Sequence, residues 1–512
     1  MLLKSRLKTV LGSKEIGIEL GAVDLNNEYK PRKASDNLLY KVLAEHLETF
    51  IADRETLGSG LPPHVTTELR DFLECGIVQH GFLRCRCESC GFEKVVPFSC
   101  RRRGFCMSCG AKRMVETAEH LVENILPPAQ YRQWVVTLPF ALRYSVATNR
   151  KLMSRIHKII SSEILSYYKF STDHLSEQDG VGGYISFTHY FGSALQLTPH
   201  FHILFADGLF VEEEEKVKFV KLEGFRDEDV SFVLGRISRR IIRYLRRLKY
   251  LDREGEMVNR PDLDPIFGDY SDLDEAAGAS IGLKIAFGPR AGRRVRRIGK
   301  SFGYEGEAPV FKGHLVASLN GFNLHAARRV KKHQRGQLES LLSYMGRSAL
   351  SAERLTLRSD GDLEYKMKRR FSDGSEKLVL SPTELIEKII AIIPLPRAHL
   401  TRYGGVFAPA HRLRSKVIKN PGVKKGRVSS SSPDEKTLVK NTMWARHLAR
   451  VFGVDIGTCP KCGADMRVMG AVVDPYEVKR YLSHIGVATE LPTISPPRHT
   501  QLEFSYEPVE PP

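Results

Sequence analysis

Leu197-Thr198-Pro199-His200-Phe201-His202-Ile203-Leu204-Phe205-Ala206-Asp207-Gly208 is a short apolar run that carries two histidines with one phenylalanine between them. On a β-strand, residues i and i+2 face the same side. His200 and His202 therefore present their imidazoles together, while Phe201, Ile203 and Phe205 point to the opposite face. Just upstream, Tyr184-Ile185-Ser186-Phe187-Thr188-His189-Tyr190-Phe191 is a second β-like run, and the interval Gly192 to Thr198 suits an antiparallel hairpin that sets His189 opposite the pair. A His-Phe-His in a strand is by itself most often chance. Three imidazoles on one hairpin face are the makings of a metal site.

The 512 residues are 42% apolar and 27% charged, a balance that suits several globular domains, each with its own core. Lysine and arginine number 78 against 60 acidic residues, a formal charge of +18. With a pI near 9.4, this favours a polyanionic partner such as nucleic acid. No signal-peptide core precedes Leu25, and no apolar run reaches the ~18 residues of a membrane span. A cytoplasmic protein without a membrane partner is expected. The nine cysteines fall mostly in close pairs, which fits reduced thiolates on metal better than a disulfide framework.

Residues 1–65 read as an N-terminal helical segment. Its helix spans Asp36 to Arg54 behind Ser35 as a cap, with Leu39, Val42, Leu43, Leu47 and Phe50 at helical spacing. Residues 66–126 read as a zinc-binding domain. Cys87-Glu88-Ser89-Cys90-Gly91 and Cys106-Met107-Ser108-Cys109-Gly110 are two knuckles, and Cys87, Cys90, Cys106 and Cys109 together form a closed structural Zn²⁺ site. Cys75, His80 and Cys100 remain, either as a second zinc site or as spare residues. Arg101, Arg102 and Arg103 between the knuckles give the zinc loop a basic edge toward DNA, although a solvated charged face is the default for such a run.

From Gln133-Trp134-Val135-Val136-Thr137-Leu138-Pro139 the texture becomes that of a buried strand. A helix at Lys151 to Lys169 follows, then the histidine hairpin, then a helical and increasingly basic stretch from Glu212 to Lys249. Strand, helix and hairpin imply an α+β layer with the hairpin in the middle of a largely antiparallel sheet. Arg290, Arg293, Arg294, Arg296 and Arg297 precede Gly299-Lys300-Ser301, which invites a phosphate-loop reading. That reading fails because Arg294 stands where the loop needs its first glycine. No nucleotide cofactor is indicated, and the arginines read as a grip on backbone phosphates.

Arg335 to Ser348 carries Leu338, Leu341, Leu342 and Met345 on one helix face, with Tyr344 at its border. A tyrosine there is by default a packing residue with a wet hydroxyl. Arg347, three residues on, would stand beside it as a phosphate ligand.

The blocks from Arg132 to Pro139, Phe191-Gly192-Ser193-Ala194-Leu195, His200-Phe201-His202, Asp207-Gly208, Phe322-Asn323-Leu324-His325-Ala326, Tyr344-Met345-Gly346-Arg347 and Arg402 to Pro409 add up to a family. In order and spacing, from about Cys75 to Met469, the chain resembles the rolling-circle insertion-sequence transposases of the HUH endonuclease superfamily, nearest to the common-region (ISCR-type) single-tyrosine elements. The resemblance implies a ferredoxin-like HUH catalytic domain with a central antiparallel sheet at 127–415, preceded by the zinc domain. It implies Tyr344 as nucleophile, and catalytic Mg²⁺ or Mn²⁺ on His200, His202 and a third histidine. His189 is preferred for the third, because its step to His200 is similar to that in HUH relaxases; His325 is the alternative. Many relatives carry a second tyrosine one helical turn after the first, where this chain has Ser348.

Tyr365 to Leu380 reads as two strands around Asp373-Gly374, and Thr383 to Ile392 as a helix stopped by Pro394. A basic linker at 416–441 leads to a small C-terminal unit at 442–489. Its Cys459-Pro460-Lys461-Cys462-Gly463 is one knuckle without a visible partner pair, either a ligand pair or a structural turn. Residues 490–512 read as a disordered proline-rich tail.

Free tyrosine is only about one part in a thousand phenolate at neutral pH, so such chemistry leans on charge placed around the phosphate. Imidazole suits Mn²⁺ better than Mg²⁺. The expected function is a transposase that nicks and rejoins single-stranded DNA at element ends and in target DNA through a 5′-phosphotyrosine, rejoining without a nucleotide cofactor. A replication initiator or relaxase would use the same chemistry. A zinc-dependent DNA-binding regulator would need only the cysteines and arginines.

Overall fold

The computed structural model describes residues 34–171, 180–214, 216–252, 270–299, 313–368, 370–371, 373–418 and 457–498. Most of the linker expected at 416–441, the start of the C-terminal unit and the tail beyond 498 lie outside the described residues.

The strand Leu197–Ala206 pairs on one side with Gly183–Phe191 and on the other with Tyr131–Thr137, both antiparallel. Around this trio the sheet runs Val316–Leu319, Phe322–His325, Tyr131–Thr137, Leu197–Ala206, Gly183–Phe191, Thr401–Gly405, with Arg329–Val330 as a seventh strand on Tyr131–Thr137. Alternation along the histidine strand splits its side chains between two cores. Phe201, Ile203 and Phe205 join Trp134 against the helices Arg150–Phe170 and Asp227–Arg247, through Ile156, Ile160, Val233 and Ile237. Leu204 and Ala206, with Ile185 and Phe187, pack against Leu338, Leu341, Leu342 and Met345 of the helix Arg335–Met345. The even-numbered face, which carries His200 and His202, thus looks toward the tyrosine helix.

Asp207 locks the end of the histidine strand. It is fully buried and accepts hydrogen bonds from Arg132 Nε (2.9 Å) and Nη2 (3.0 Å), Tyr168 Oη (2.9 Å) and Gln130 Nε2 (3.1 Å), with Arg329 Nε 3.0 Å away. A carboxylate taken this far from water is tolerable only with such a complement of charged donors. The next residue must be glycine, because a Cβ on Gly208 would lie 2.1 Å from the carbonyl oxygen of Val220 on the neighbouring strand.

A second sheet runs Leu355–Leu357, Leu363–Lys366, Ser375–Leu380, Arg296–Gly299. It shares a core with the helices Leu38–Leu57, Pro63–Glu74 and Pro382–Ile392, through residues such as Leu43, Leu69, Leu378 and Ile389. The last of these helices starts on a capping box, with Ser381 and Glu384 each satisfying the other's backbone N–H.

Two local expectations are corrected. The first helix begins at Leu38, after a 3₁₀ turn at Ala34–Asp36, and Asn37 caps it by accepting from Leu39 N at 2.9 Å; Ser35 does not. The described residues from Glu212 to Lys221 are not helical. Gly208–Glu213 and Lys216–Lys221 form an antiparallel pair, and the helix starts only at Asp227. The β-branched and aromatic residues Val211, Val217, Phe219 and Val220 favour that pair over a helix.

The fold is thus mixed α and β with antiparallel sheets and a cysteine-rich N-terminal region. By compactness the chain divides into two units. The larger contains, among its described parts, residues within 34–82, 96–418 and 471–498. The smaller contains, among its described parts, 83–95 and 457–470, whose sheet orders Met466–Val472, Phe82–Cys87, Glu93–Pro97. The segment 66–126 is therefore shared between the two. Among the described residues no helix is long and apolar enough to cross a membrane.

Candidate metal centre and nucleophile

His189 stands directly across from His200 in the hairpin register, and Phe187 across from His202. Tertiary placement brings His189, His200 and His202 together, each offering one ring nitrogen within 4.8 Å of the others. His325 is not part of this group; it ends the strand Phe322–His325, paired with Val135.

Hydrogen bonds on the far side of each ring decide which nitrogen faces the centre. His189 Nε2 is 2.6 Å from the carbonyl oxygen of Met345, so Nε2–H donates and Nδ1 is left. His200 Nδ1 is 2.8 Å from the carbonyl oxygen of Thr198, leaving Nε2. The side-chain amide of Gln133 lies 2.9 Å from His202 Nδ1; turned with its oxygen to the ring it accepts Nδ1–H and again leaves Nε2. His189 Nδ1 and His202 Nε2 are buried with no hydrogen-bond partner among the described residues. Lone pairs converging without protons to meet them are what a divalent cation satisfies, so the donor set fits a metal.

The rings are held neutral. Burial lowers the pKa of His189 and His202 well below the ordinary imidazole value, with neighbouring imidazoles and Arg347 adding to it. Burial likewise brings His200 down to about 4.

Tyr344 is half-buried beside this centre, its ring 5.9 Å from that of His202 and nearly perpendicular to it. Met345, the last residue of the same helix, supplies the carbonyl that orients His189. One helix end therefore sets both the phenol and a candidate ligand. Arg347 lies past the helix end, yet its guanidinium still covers the phenol ring with Cζ 4.5 Å from the centroid. Its Nη1 is buried without a hydrogen-bond partner among the described residues.

Lys368, which sequence reasoning missed, places Nζ 3.9 Å from the same ring centroid. Desolvation, then the charge of Arg347, lowers its pKa, while Tyr344 pulls it up. In the sequence it lies in the run Lys366-Met367-Lys368-Arg369-Arg370, inside the stretch Tyr365 to Leu380 read as two strands.

The helix ends at Met345, with Gly346 as its cap. Ser348 is therefore not one helical turn further along the same face. It packs on Gly110 of the helix Met107–His120, where an added Cβ would meet Ser348 Cβ at 2.5 Å. Gly110→Val should force apart the contact between the cysteine helix and the tyrosine segment. A loss of about 1–3 kcal/mol of stability, typical of overpacking, is expected in denaturant titration.

The cysteines regroup. Cys87, Cys90, Cys106 and Cys109 do not share one site, and among the described residues His80 joins no cluster. Cys106 and Cys109 meet Cys75 and Cys100, with Sγ separations of 3.7 Å (Cys75–Cys109 and Cys75–Cys106) and 3.5 Å (Cys100–Cys109). A Zn²⁺ tetrahedron with ~2.3 Å bonds has edges of about 3.8 Å. The separations are far beyond the ~2.05 Å of a disulfide. Cys87 and Cys90 lie instead with Cys459 and Cys462. Knuckle spacing marks ligand pairs but not which pairs meet, and that is why the sequence coupled the wrong two.

Part of the expected arginine grip is engaged internally. Arg290 pairs with Glu384 (2.7 Å), Arg297 with Asp373 (2.8 Å), Arg296 with Asp362 and Arg102 with Asp71. Folding brings carboxylates from distant segments beside them. Arg293 and Arg294 remain exposed, as do Arg101 and Arg103.

A different basic surface leads from the centre. The cavity that includes His189 and Arg347 is also lined by Arg102, Arg103 and Arg113. The adjoining depression shares Arg102 and Arg103 and adds Arg101 and Arg397. A third shares Arg397 and is walled by Arg150, Lys151, Arg155 and Lys158. Lys151, Arg155 and Lys158 recur at i, i+4 and i+7 and form one exposed helix face.

Residues 42–138 match a family model described as a transposase zinc-binding domain, of the IS91 type. Residues 183–415, which hold all three clustered histidines, Tyr344 and Arg347, match one described as "Putative transposase". No curated protein and no solved structure matches the chain. The chain is thus similar to a transposase zinc-binding domain over 42–138 and to a putative transposase over 183–415.

Proposed function

We propose that the protein nicks and rejoins single-stranded DNA through a 5′-phosphotyrosine on Tyr344, as a single-tyrosine rolling-circle transposase of the HUH superfamily and of the common-region kind, acting in the cytoplasm. The observation that carries this reading is the convergence of three neutral imidazoles, with ring nitrogens free, beside a tyrosine whose ring is flanked by two cations. The antiparallel sheet with helices on its faces supports a ferredoxin-like HUH domain. Zn²⁺ is structural on the cysteine clusters.

Mg²⁺ or Mn²⁺, when bound by His189, His200 and His202, supplies positive charge against the non-bridging oxygens of the scissile phosphate. Arg347 offers its buried Nη1 to the same phosphate. Lys368 holds an ammonium over the phenol ring, where its positive charge would offset negative charge developing on the Tyr344 oxygen during attack. The Tyr344 oxygen forms a bond to phosphorus as the bond from phosphorus to the 3′-oxygen breaks. The phenol proton is lost to solvent, and the departing 3′-oxygen takes one up as hydroxyl. Phosphodiester energy is conserved in the phosphotyrosine, so attack by a 3′-hydroxyl reverses the step. With Ser348 turned toward Gly110, the site offers one covalent position at a time.

The test is nick mapping on single-stranded oligonucleotides carrying the element's ends, labelled at either terminus, with Mn²⁺. The 5′ fragment should end in an extendable 3′-hydroxyl, and the 3′ fragment should stay with protein under denaturing conditions. A 3′ fragment that migrates free with a 5′-phosphate would mean hydrolysis by water and would overturn the tyrosine step.

The basic face on Arg150–Phe170 is expected to track the strand. Arg155→Ala combined with Lys158→Ala should lower the slope of log affinity against log salt by about 1.4, from two lost single-strand phosphate contacts. An unchanged slope would place the DNA elsewhere.

A further inference from the structure

We infer that Cys87, Cys90, Cys459 and Cys462 form a second closed zinc site, one that joins two segments of the smaller unit separated by most of the chain. Cys459 and Cys462 lie outside both spans matched by transposase families, which end at 138 and 415. The two knuckles are built alike. Gly91 and Gly463 both adopt positive φ, +70° and +73°, a conformation that glycine takes without strain. Gly91 N–H donates to Cys87 O at 3.1 Å, and Gly463 N–H to Cys459 O at 2.9 Å. Each turn thus folds its two sulfurs to one side. The sulfurs then interleave, with Cys87 Sγ 3.5 Å from Cys462 Sγ and Cys90 Sγ 3.5 Å from Cys459 Sγ.

The cross-pairing separates a metal tetrahedron from two stray turns. A knuckle serving only its own backbone has no reason to bring its thiols within van der Waals contact of a partner knuckle's. Cys87 and Cys459 are buried, whereas Cys90 and Cys462 are exposed and lack apolar cover of their own. Other contacts join the same segments. Lys461 Nζ stands 6.0 Å from the Phe92 ring, and Arg467 Nη1 is 2.5 Å from Glu88 Oε1. The strand Met466–Val472 extends the sheet of Phe82–Cys87 and Glu93–Pro97. The result is a zinc ribbon in two pieces, with residues 183–415, which match the putative transposase model, encoded between its halves. Four thiolates leave no open coordination position, so the ion is structural and of the Zn²⁺ class.

The experiment uses the full chain, purified with a thiol reductant, which removes disulfides as a source of protection. Metal content is read by atomic emission, and thiol reactivity by iodoacetamide labelling with peptide mass analysis before and after zinc is stripped. The expected result is that Cys90 and Cys462 resist alkylation although exposed, and label fully after stripping. Cys459→Ser combined with Cys462→Ser should lose one zinc equivalent per chain and unmask Cys90, with Cys75, Cys100, Cys106 and Cys109 still protected. Alkylation of Cys90 and Cys462 in the zinc-loaded chain at the rate of free thiols would overturn the inference. So would an unchanged zinc content in the double variant. Should that variant misfold, the labelling of the unaltered chain decides alone.

Discussion

Tyr344→Phe is expected to eliminate the covalent protein–DNA adduct altogether while leaving single-strand binding within about twofold. The substitution keeps the ring against His202 and under Arg347 and Lys368, and removes only the oxygen. Among the described residues, neither Tyr365 nor Tyr403 is placed to replace it. Tyr365 is fully buried in the core beneath the second sheet, and burial raises its pKa. Tyr403 packs against the apolar core under the tyrosine helix, and its pKa is likewise raised by burial. The check is a labelled end oligonucleotide with Mn²⁺, a denaturing gel and the mass of the linked peptide. An adduct persisting in Tyr344→Phe, mapped to either other tyrosine, would show that the nucleophile is misassigned. If the unaltered protein forms no adduct on any end sequence yet binds it, the binding-regulator reading prevails.

His202→Ala should lower cleavage by at least about a thousandfold, since a lost ligand removes several kcal/mol of charge stabilisation at the phosphate. It should also weaken Mn²⁺ binding measured by calorimetry without DNA. Gln133→Leu separates orientation from ligation. It leaves all three imidazoles and removes only the group that fixes the His202 ring, so metal affinity should fall about 10–100-fold and excess metal should restore cleavage. No metal concentration should rescue His202→Ala to the same extent. His325→Ala is expected to leave affinity unchanged; if it weakens binding more than His189→Ala does, the third ligand has been wrongly chosen.

Several elements were legible because they rest on periodicity and local chemistry. The histidine hairpin followed from alternation with period two, and its register set His189 against His200. The tyrosine helix followed from its apolar face, and the helix Pro382–Ile392 from its cap. Sequence also marked Cys459 and Cys462 as a knuckle, but not as half of a cluster.

By itself, then, the sequence determined the strands and helices that carry the chemistry, the side of the strand on which two histidines stand, and which cysteines act in pairs. Each depends on residues within a few positions of one another. Tertiary structure alone decided which knuckles meet, that Met345 and Gln133 orient the imidazoles, that Lys368 covers the phenol, and that Arg290, Arg296 and Arg297 face acidic partners in the fold. These contacts join residues up to hundreds of positions apart. Such pairings are selected by the burial and charge of the whole chain, which leave no periodic trace in either partner's own segment.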